Sequence, residues 1–350
     1  MWFITLILLI LILGIIILVH EFGHFITAKK SGVHIYEFSI GMGPLLKTFK
    51  GKDGIDYNLR VFPIGGFVSM AGEVYEDADT QKIPKEKFMC NKKWWQRVLI
   101  LAAGVINNFI LAILVLFIIS LIWGAKSLDA TVSAIPNSPV SVAGVVEGDR
   151  IVSVNGHKVS TWDQARIYMS MEDKDETYSF GIKHKDGKVD TYDIKKGKYK
   201  LEDGTEQEGF GFSLIQTESR GLFASIKYAF AQFGNLLSTM WITVINLFTG
   251  KIALKSLSGP VGIYHIVGQS LGLGINEVLY LLAYLSINVG LINILPIPAF
   301  DGGRILFLII EKIKGSPINA KFENMCHTIF FFLLIALMIY ITIVDLFRFA

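Results

Sequence analysis

The chain opens with an apolar run, residues 2–19, in which no residue carries a charge, and the run leads straight into His20-Glu21-Phe22-Gly23-His24. A run of that length and polarity reads as a membrane-spanning helix. Whatever the chain folds into must therefore hold two imidazoles and a carboxylate at the end of a bilayer span. Ionisable groups in that position are expensive to bury and mark functional sites by default. A secretory leader would carry a basic start and a small-residue cleavage site. This run has neither, and the polar cluster stands where cleavage would fall, so the span is expected to be retained.

The rest of the chain has the same character. Of its 350 residues 52% are hydrophobic, and the mean hydropathy is +0.50, both outside the range of ordinary soluble domains. Stretches 98–123, 278–300 and 328–344 are apolar enough to cross a bilayer. A further stretch, 228–249, is also uncharged but is dotted with Gln232, Asn235, Ser238, Thr239 and Asn246. The net charge is only +3, with no arginine-rich tract or zinc-finger spacing, so nucleic acid is not an expected partner. Cys90 and Cys326 stand in unrelated contexts and form neither a disulfide framework nor a thiolate metal site.

Charge sets the expected orientation. Twelve lysines and arginines lie between Phe25 and Arg97 and none precedes Val19, which puts that loop in the cytoplasm and the amino terminus outside. Residues 129–216 alternate polar and apolar positions between Asn-Gly and Asp-Gly turns, the pattern of a small β-rich domain. That domain falls outside the cell, and its histidines, His157 and His184, stand isolated in sequence. Stretch 228–249 is expected to lie in the interface or to dip in and return, because its polar residues suit a partly wet segment. The fold class is thus a polytopic α-helical membrane protein of four transmembrane helices. Its parts are a first core half at 1–128 (spans near 2–24 and 98–123, a β-hairpin region at 33–72), the β-rich domain at 129–216, an amphipathic or re-entrant segment at 217–275, and a second core half at 276–350 (spans near 278–311 and 326–346).

His20 and His24 are four residues apart, so on a helix they share one face and can share one zinc ion. Glu21 can then reach a water held at the metal without ligating it, and zinc brings the pKa of such a water to about 7. A catalytic zinc takes three protein ligands and keeps one position open. Glu37 is one candidate for the third, at the kind of downstream distance found in soluble zincins. Asp301 is the stronger one, since it interrupts an apolar stretch and an isolated intramembrane carboxylate demands a partner. Pro296 and Pro298 break the helix just before it, and Gly302 and Gly303 loosen it just after. Broken helix at membrane depth is tolerated where it is buried in protein or lines a watery cavity.

These motifs carry a resemblance. His20-Glu21-Phe22-Gly23-His24 at the end of the first span, together with Asn293-Ile-Leu-Pro296-Ile-Pro298-Ala-Phe-Asp301-Gly302, resembles the site-2 protease family of intramembrane zinc metalloproteases. The resemblance is nearest to the regulator-of-sigma-E protease branch of bacteria, here with room for a single PDZ domain. It extends over Gly41–Pro44, Phe62–Glu73, Ala102–Ala112, a PDZ-like order of turns and strands in 129–216, and Ser258–Ile263. It implies that His20, His24 and Asp301 bind Zn2+, that Glu21 is the catalytic base, and that Asn293 helps hold the substrate.

The kink residues Pro296 and Pro298, and Gly65 and Gly66 of a glycine-rich hairpin, are expected around the substrate. An extended peptide can add to an exposed strand edge there. Asn107 and Asn108 either line the site or join helices. The expected activity is hydrolysis of peptide bonds within or beside the membrane segment of single-span proteins, such as anti-sigma factors or remnant signal peptides, in the bacterial cytoplasmic membrane. The competing reading is a membrane scaffold or metal transporter with an external peptide-binding domain. A transporter should distribute ionisable residues over several spans, whereas here they gather in one cluster.

Overall fold

The structure, a computed structural model, describes residues 2–73, 83–171, 177–201 and 203–349. Two compact units divide the chain, Met1–Val115 with Lys255–Ala350, and Leu116–Leu254.

Helix α1, Trp2–Lys30, runs unbroken from the apolar segment through both histidines. It ends at Lys29 and Lys30, just before Gly32, which takes a left-handed φ of 68°. Strands β1, Ile35–Lys50, and β2, Asp56–Met70, follow as an antiparallel pair. The pairing is folded back on itself. Glu37 to Ile40 face Gly66–Ser69 on one side and Asp56–Leu59 on the other, while Leu45–Lys50 pairs onward with Asp56–Arg60. Among the described residues, 66–70 therefore form a rim paired along one edge only. Met42, Leu45, Leu46, Phe49 and Phe62 stand exposed at the far end of the hairpin. Phe25, Ala28, Phe38, Val68 and Ile100 share one buried cluster, which fixes the hairpin base against α1 and the second long helix. That helix is α2, Trp94–Trp123.

The second unit holds short strands β3, Ala125–Lys126, and β4, Thr131–Ala134, then helix α3, Pro139–Val142. Next come β5, Asp149–Val154, β6, His157–Lys158, and α4, Trp162–Ser170. Strands β7, Tyr178–Lys183, β8, Val189–Ile194, β9, Gly197–Lys200, β10, Glu206–Gly209, β11, Phe212–Leu214, and β12, Glu218–Ser219, complete the β region. Its main sheet has the order β11-β4-β5-β7-β8, with β6 beside β5. Val132, Ile151, Val154, Tyr178, Phe180 and Ile182 are fully buried in its core.

Helix α5, Leu222–Phe248, docks on α4 of this domain. Asn235 accepts from Thr161 Oγ1 at 2.6 Å and donates to Asp163 at 2.7 Å, and Gln164 donates to Ser238 at 3.1 Å. Gln232, Asn235 and Thr239 are buried on that face. The polar residues that suggested a wet segment thus find partners in protein: α4 and its cap engage Asn235 and Ser238, Gln232 accepts from Asn235, and Thr239 donates to carbonyls of its own helix. His184 is likewise not isolated: its Nδ1 lies 2.9 Å from the fully buried Asp149, and its Nε2 lies 3.1 Å from the Tyr192 hydroxyl.

The chain returns to the first unit with α6, Pro260–Leu273, and α7, Ile275–Ile294. Helix α8, Asp301–Lys314, ends at Gly315 with φ 76°, and α9, Ala320–Phe349, closes the fold. Among the described residues four helices, α1, α2, α7 and α9, are long and apolar enough to cross a membrane. With the β-rich region between them, the chain is a membrane protein. Within 278–311 the expected break is found: α7 and α8 are separate helices with six residues between them. Leu295 takes an extended ψ of 142°, as the residue before a proline prefers, and Pro296 has no N–H to continue the ladder.

Candidate metal centre

The break between α7 and α8 places Asp301 opposite α1. His20 and His24, one turn apart on α1 and both buried, hold their rings 4.9 Å apart at 82°. Their Nε2 atoms are 3.3 Å apart. Asp301 Oδ2 lies 3.1 Å from His20 Nε2 and 3.3 Å from His24 Nε2. Donors set tetrahedrally around one ion at zinc distances, about 2.0–2.1 Å, are about 3.3–3.4 Å from one another. The observed triangle has the size of one face of such a tetrahedron.

The donor chemistry fits as well. Neutral imidazoles and a carboxylate turn lone pairs toward a common point, and Asp301 Oδ2 is buried with no hydrogen-bond donor. Converging lone pairs repel unless a cation lies among them. Among the described residues, His20, His24 and Asp301 are the one group of three His, Cys, Asp or Glu side chains arranged to hold a metal ion.

Glycine makes the approach of α8 possible. A Cβ on Gly302 would overlap the carbonyls of Ile294 and Leu295, and one on Gly303 the carbonyl of Ile297, so the helix start lies directly on the broken segment. A second clearance lies on α2. A Cβ on Gly104 would stand 2.5–2.8 Å from ring atoms of both His20 and His24. One turn earlier on α2, the Ile100 carbonyl accepts from His24 Nδ1 at 2.8 Å. That bond fixes the proton on Nδ1 and leaves Nε2 free to face Asp301.

A cavity of about 320 Å³ opens beside the triangle. Glu21, His20, His24 and Asp301 line it, as do Asn293 from the last turn of α7 and Val68 and Met70 from the β2 rim. The expected residues thus separate. Glu21 and Asn293 share the cavity with the histidines and Asp301, whereas the cavity wall does not include Gly65, Gly66, Pro296 or Pro298. Gly65 turns the chain with φ 82°, Gly66 pairs with Ile40 in the hairpin, and the prolines shape the break behind Asp301. Glu37 is engaged elsewhere: Arg60 lies 3.2 Å from its carboxylate, and Asn58 also donates to it.

Two further charged residues of the cavity had no expected role at the site. Arg304, one turn past Asp301, donates to Glu73 at 2.5 Å. Glu73 follows the β2 rim, so this ion pair joins the rim to α8. Their pairing had no signal in the sequence, although Glu73 closes the matched segment Phe62–Glu73 and Arg304 stands three residues past Asp301.

Comparison with known proteins gives this arrangement a context. The profile of Peptidase family M50 matches residues 8–337. The zinc metalloprotease RasP of Shouchella clausii is 32% identical over 98% of this chain and 98% of its own length. The regulator of sigma-W protease RasP of Bacillus subtilis is 30% identical, again over 98% of each chain.

Proposed function

As the chain belongs to Peptidase family M50, the site-2 proteases, and is a zinc metalloprotease, we propose that it hydrolyses single-span membrane proteins within or beside their membrane segment, using the cavity bounded by His20, Glu21, His24 and Asp301. The observation that carries this reading is the convergence of two imidazole nitrogens and one carboxylate oxygen on a point beside Glu21. His20, His24 and Asp301 hold the zinc ion. Bound there, the ion would supply Lewis-acid polarisation of the scissile carbonyl and acidification of water. Glu21 takes the proton of the attacking water on its carboxylate and delivers it to the leaving amide nitrogen, so that it ends the cycle ionised again.

Asn293, with its amide in the cavity wall, holds the substrate backbone. The free edge of residues 66–70 presents main-chain groups to which an extended substrate strand adds. Substrate is thereby unwound before it is cut, as an α-helical peptide bond is shielded by its own hydrogen bonds. Gly65 and Gly66, with Pro296 and Pro298, act at one remove by shaping that rim and the break beneath Asp301.

The β-rich unit is a single PDZ-like domain on the outer side of the bacterial cytoplasmic membrane. It limits the size of external domains that reach the site and performs no chemistry. The metal lies toward the cytoplasmic side. By the name of its Bacillus subtilis relative, a regulator of sigma-W protease, the fitting substrate class is a membrane-anchored anti-sigma factor. Remnant signal peptides share the same single-span form.

The test uses purified protein and a single-span model substrate. Cleavage should stop with a chelator and return with zinc. Glu21→Gln should keep its zinc and lose cleavage by roughly a thousandfold or more. A Glu21→Gln variant that cuts near the wild-type rate would overturn the mechanism, and zinc-loaded wild-type protein that cuts no such substrate would overturn the substrate class.

A further inference from the structure

We propose that Asn108 is a positioning residue that sets the tautomer and orientation of His20, making one stripe of α2 the outer support of the metal centre. The proposal rests on the reading in which His20, His24 and Asp301 hold zinc. Ile100, Gly104 and Asn108 are spaced by four and so lie along one face of α2. Each meets the histidine pair differently. The Ile100 carbonyl accepts from His24 Nδ1 at 2.8 Å, Gly104 leaves space for both rings, and the Asn108 amide is placed with Nδ2 3.4 Å from His20 Nδ1.

His20 turns Nε2 toward Asp301, at 3.1 Å. A neutral imidazole that offers the Nε2 lone pair carries its proton on Nδ1, and that proton needs an acceptor. The nitrogen and oxygen ends of a side-chain amide have nearly the same shape. Exchanging the two ends brings Oδ1, which is buried without a partner as placed, to the position of Nδ2, and Asn108 then accepts the Nδ1 proton. Asn108 is fully buried, so no solvent competes for that bond.

The same residue reaches the other half of the site. Its backbone carbonyl accepts from Ser286 Oγ at 2.8 Å, and Ser286 lies on α7, the helix that leads to the break before Asp301. An amide meets these needs without adding charge to an apolar interface. Its neighbour Asn107 differs: it donates to the Val19 carbonyl at 3.3 Å, which joins α2 to α1 without touching a ring. The two adjacent asparagines thus offer an internal contrast between orienting a ligand and gluing helices.

The experiment measures zinc affinity of the full chain in detergent by competition with a chromophoric chelator, alongside thermal unfolding of the metal-free protein. Asn108→Leu should weaken zinc about ten- to a hundredfold, the range seen when an outer partner of a ligating histidine is lost. Asn108→Asp, whose carboxylate can accept the same proton, should stay within a few-fold of wild type, and Asn107→Leu should leave zinc affinity unchanged. Equal zinc affinity in wild type and Asn108→Leu would overturn the proposal, as would parallel losses of zinc and metal-free stability in both Asn108 variants, since that pattern means packing alone. His20→Ala separates the two levels. If it loses zinc while Asn108→Leu keeps it, only the role of Asn108 fails. If His20→Ala keeps zinc, the ligand assignment itself fails.

Discussion

Asp301 and Glu37 are the two carboxylates that compete for the third place beside the histidines, and their surroundings distinguish them. Asp301 Oδ2 sits within 3.3 Å of both Nε2 atoms and has no donor of its own. Glu37 already has a cation, Arg60. Asp301→Ala should therefore lower zinc affinity by more than about a hundredfold, beyond the loss expected for an outer partner, and abolish cleavage with it. Glu37→Ala should retain its metal. Metal analysis after dialysis reads both, and the opposite pattern would move the third ligand to the hairpin. At this scale the pairing of His20 with His24 was legible in the sequence, because one helical turn makes neighbours of residues four apart. The choice of carboxylate rested on weaker signals, the isolation of Asp301 and the prolines before it. No sequence signal pointed to Ile100, whose backbone carbonyl, not its side chain, makes the contact.

Among elements, the contact that matters most to the cavity is the one between the β2 rim and α8. Val68 and Met70 line the cavity from the rim, and Glu73, just beyond, is bound to Arg304 one turn past Asp301. The ion pair ties the end of the rim to the start of α8, next to Asp301. Glu73→Gln and Arg304→Gln should each reduce kcat/KM by about tenfold, equivalent to about 1.4 kcal/mol, with zinc content unchanged. The reversed pair, Glu73→Arg with Arg304→Glu, should recover part of that loss, with a coupling of about 0.5–3 kcal/mol. Strictly additive losses would mean the two side chains act independently. Hairpin and broken helix were both readable from glycine and proline positions. The polar face of α5 was readable as a pattern and misread as to its surroundings. Amphipathicity states that a face needs polar partners, and water or the α4 helix can supply them equally well.

At the scale of the whole molecule, the contacts of the first unit bring both termini against the internal segment 255–265. The Tyr264 hydroxyl donates to the Trp2 carbonyl at 3.1 Å, His265 stacks on Phe349 at 4.2 Å, and Arg348 donates to the Lys255 carbonyl. Asp345, fully buried near the end of α9, accepts from the backbone N–H groups of Gly259 and Gly262 at 2.7 and 2.8 Å. Helix α9 has 30 residues, about 45 Å at 1.5 Å per residue, so its two ends stand at opposite faces of a bilayer if it crosses. Lys255 then lies with both termini and Lys314 with the other face. In intact cells, a cysteine introduced at Lys255 should react with an impermeant thiol reagent from outside, and one at Lys314 should not. The reverse result would invert the orientation of the site in the membrane.

The sequence by itself determined the membrane class, the apolar helices, the histidine pair with Glu21 beside it, and the break before Asp301. Each of these is a local property, written in hydropathy, in a spacing of four, or in a proline that cannot donate. Only the tertiary structure decided which carboxylate faces the histidines, which face of α2 stands behind them, and which protein surface receives the polar side of α5. Those choices join residues as far apart as His24 and Asp301, and hydrogen-bonding capacity alone does not name the partner. Space does: the missing side chains of Gly104, Gly302 and Gly303 let α2 and α8 close on α1, and the chemistry of the centre follows from that approach.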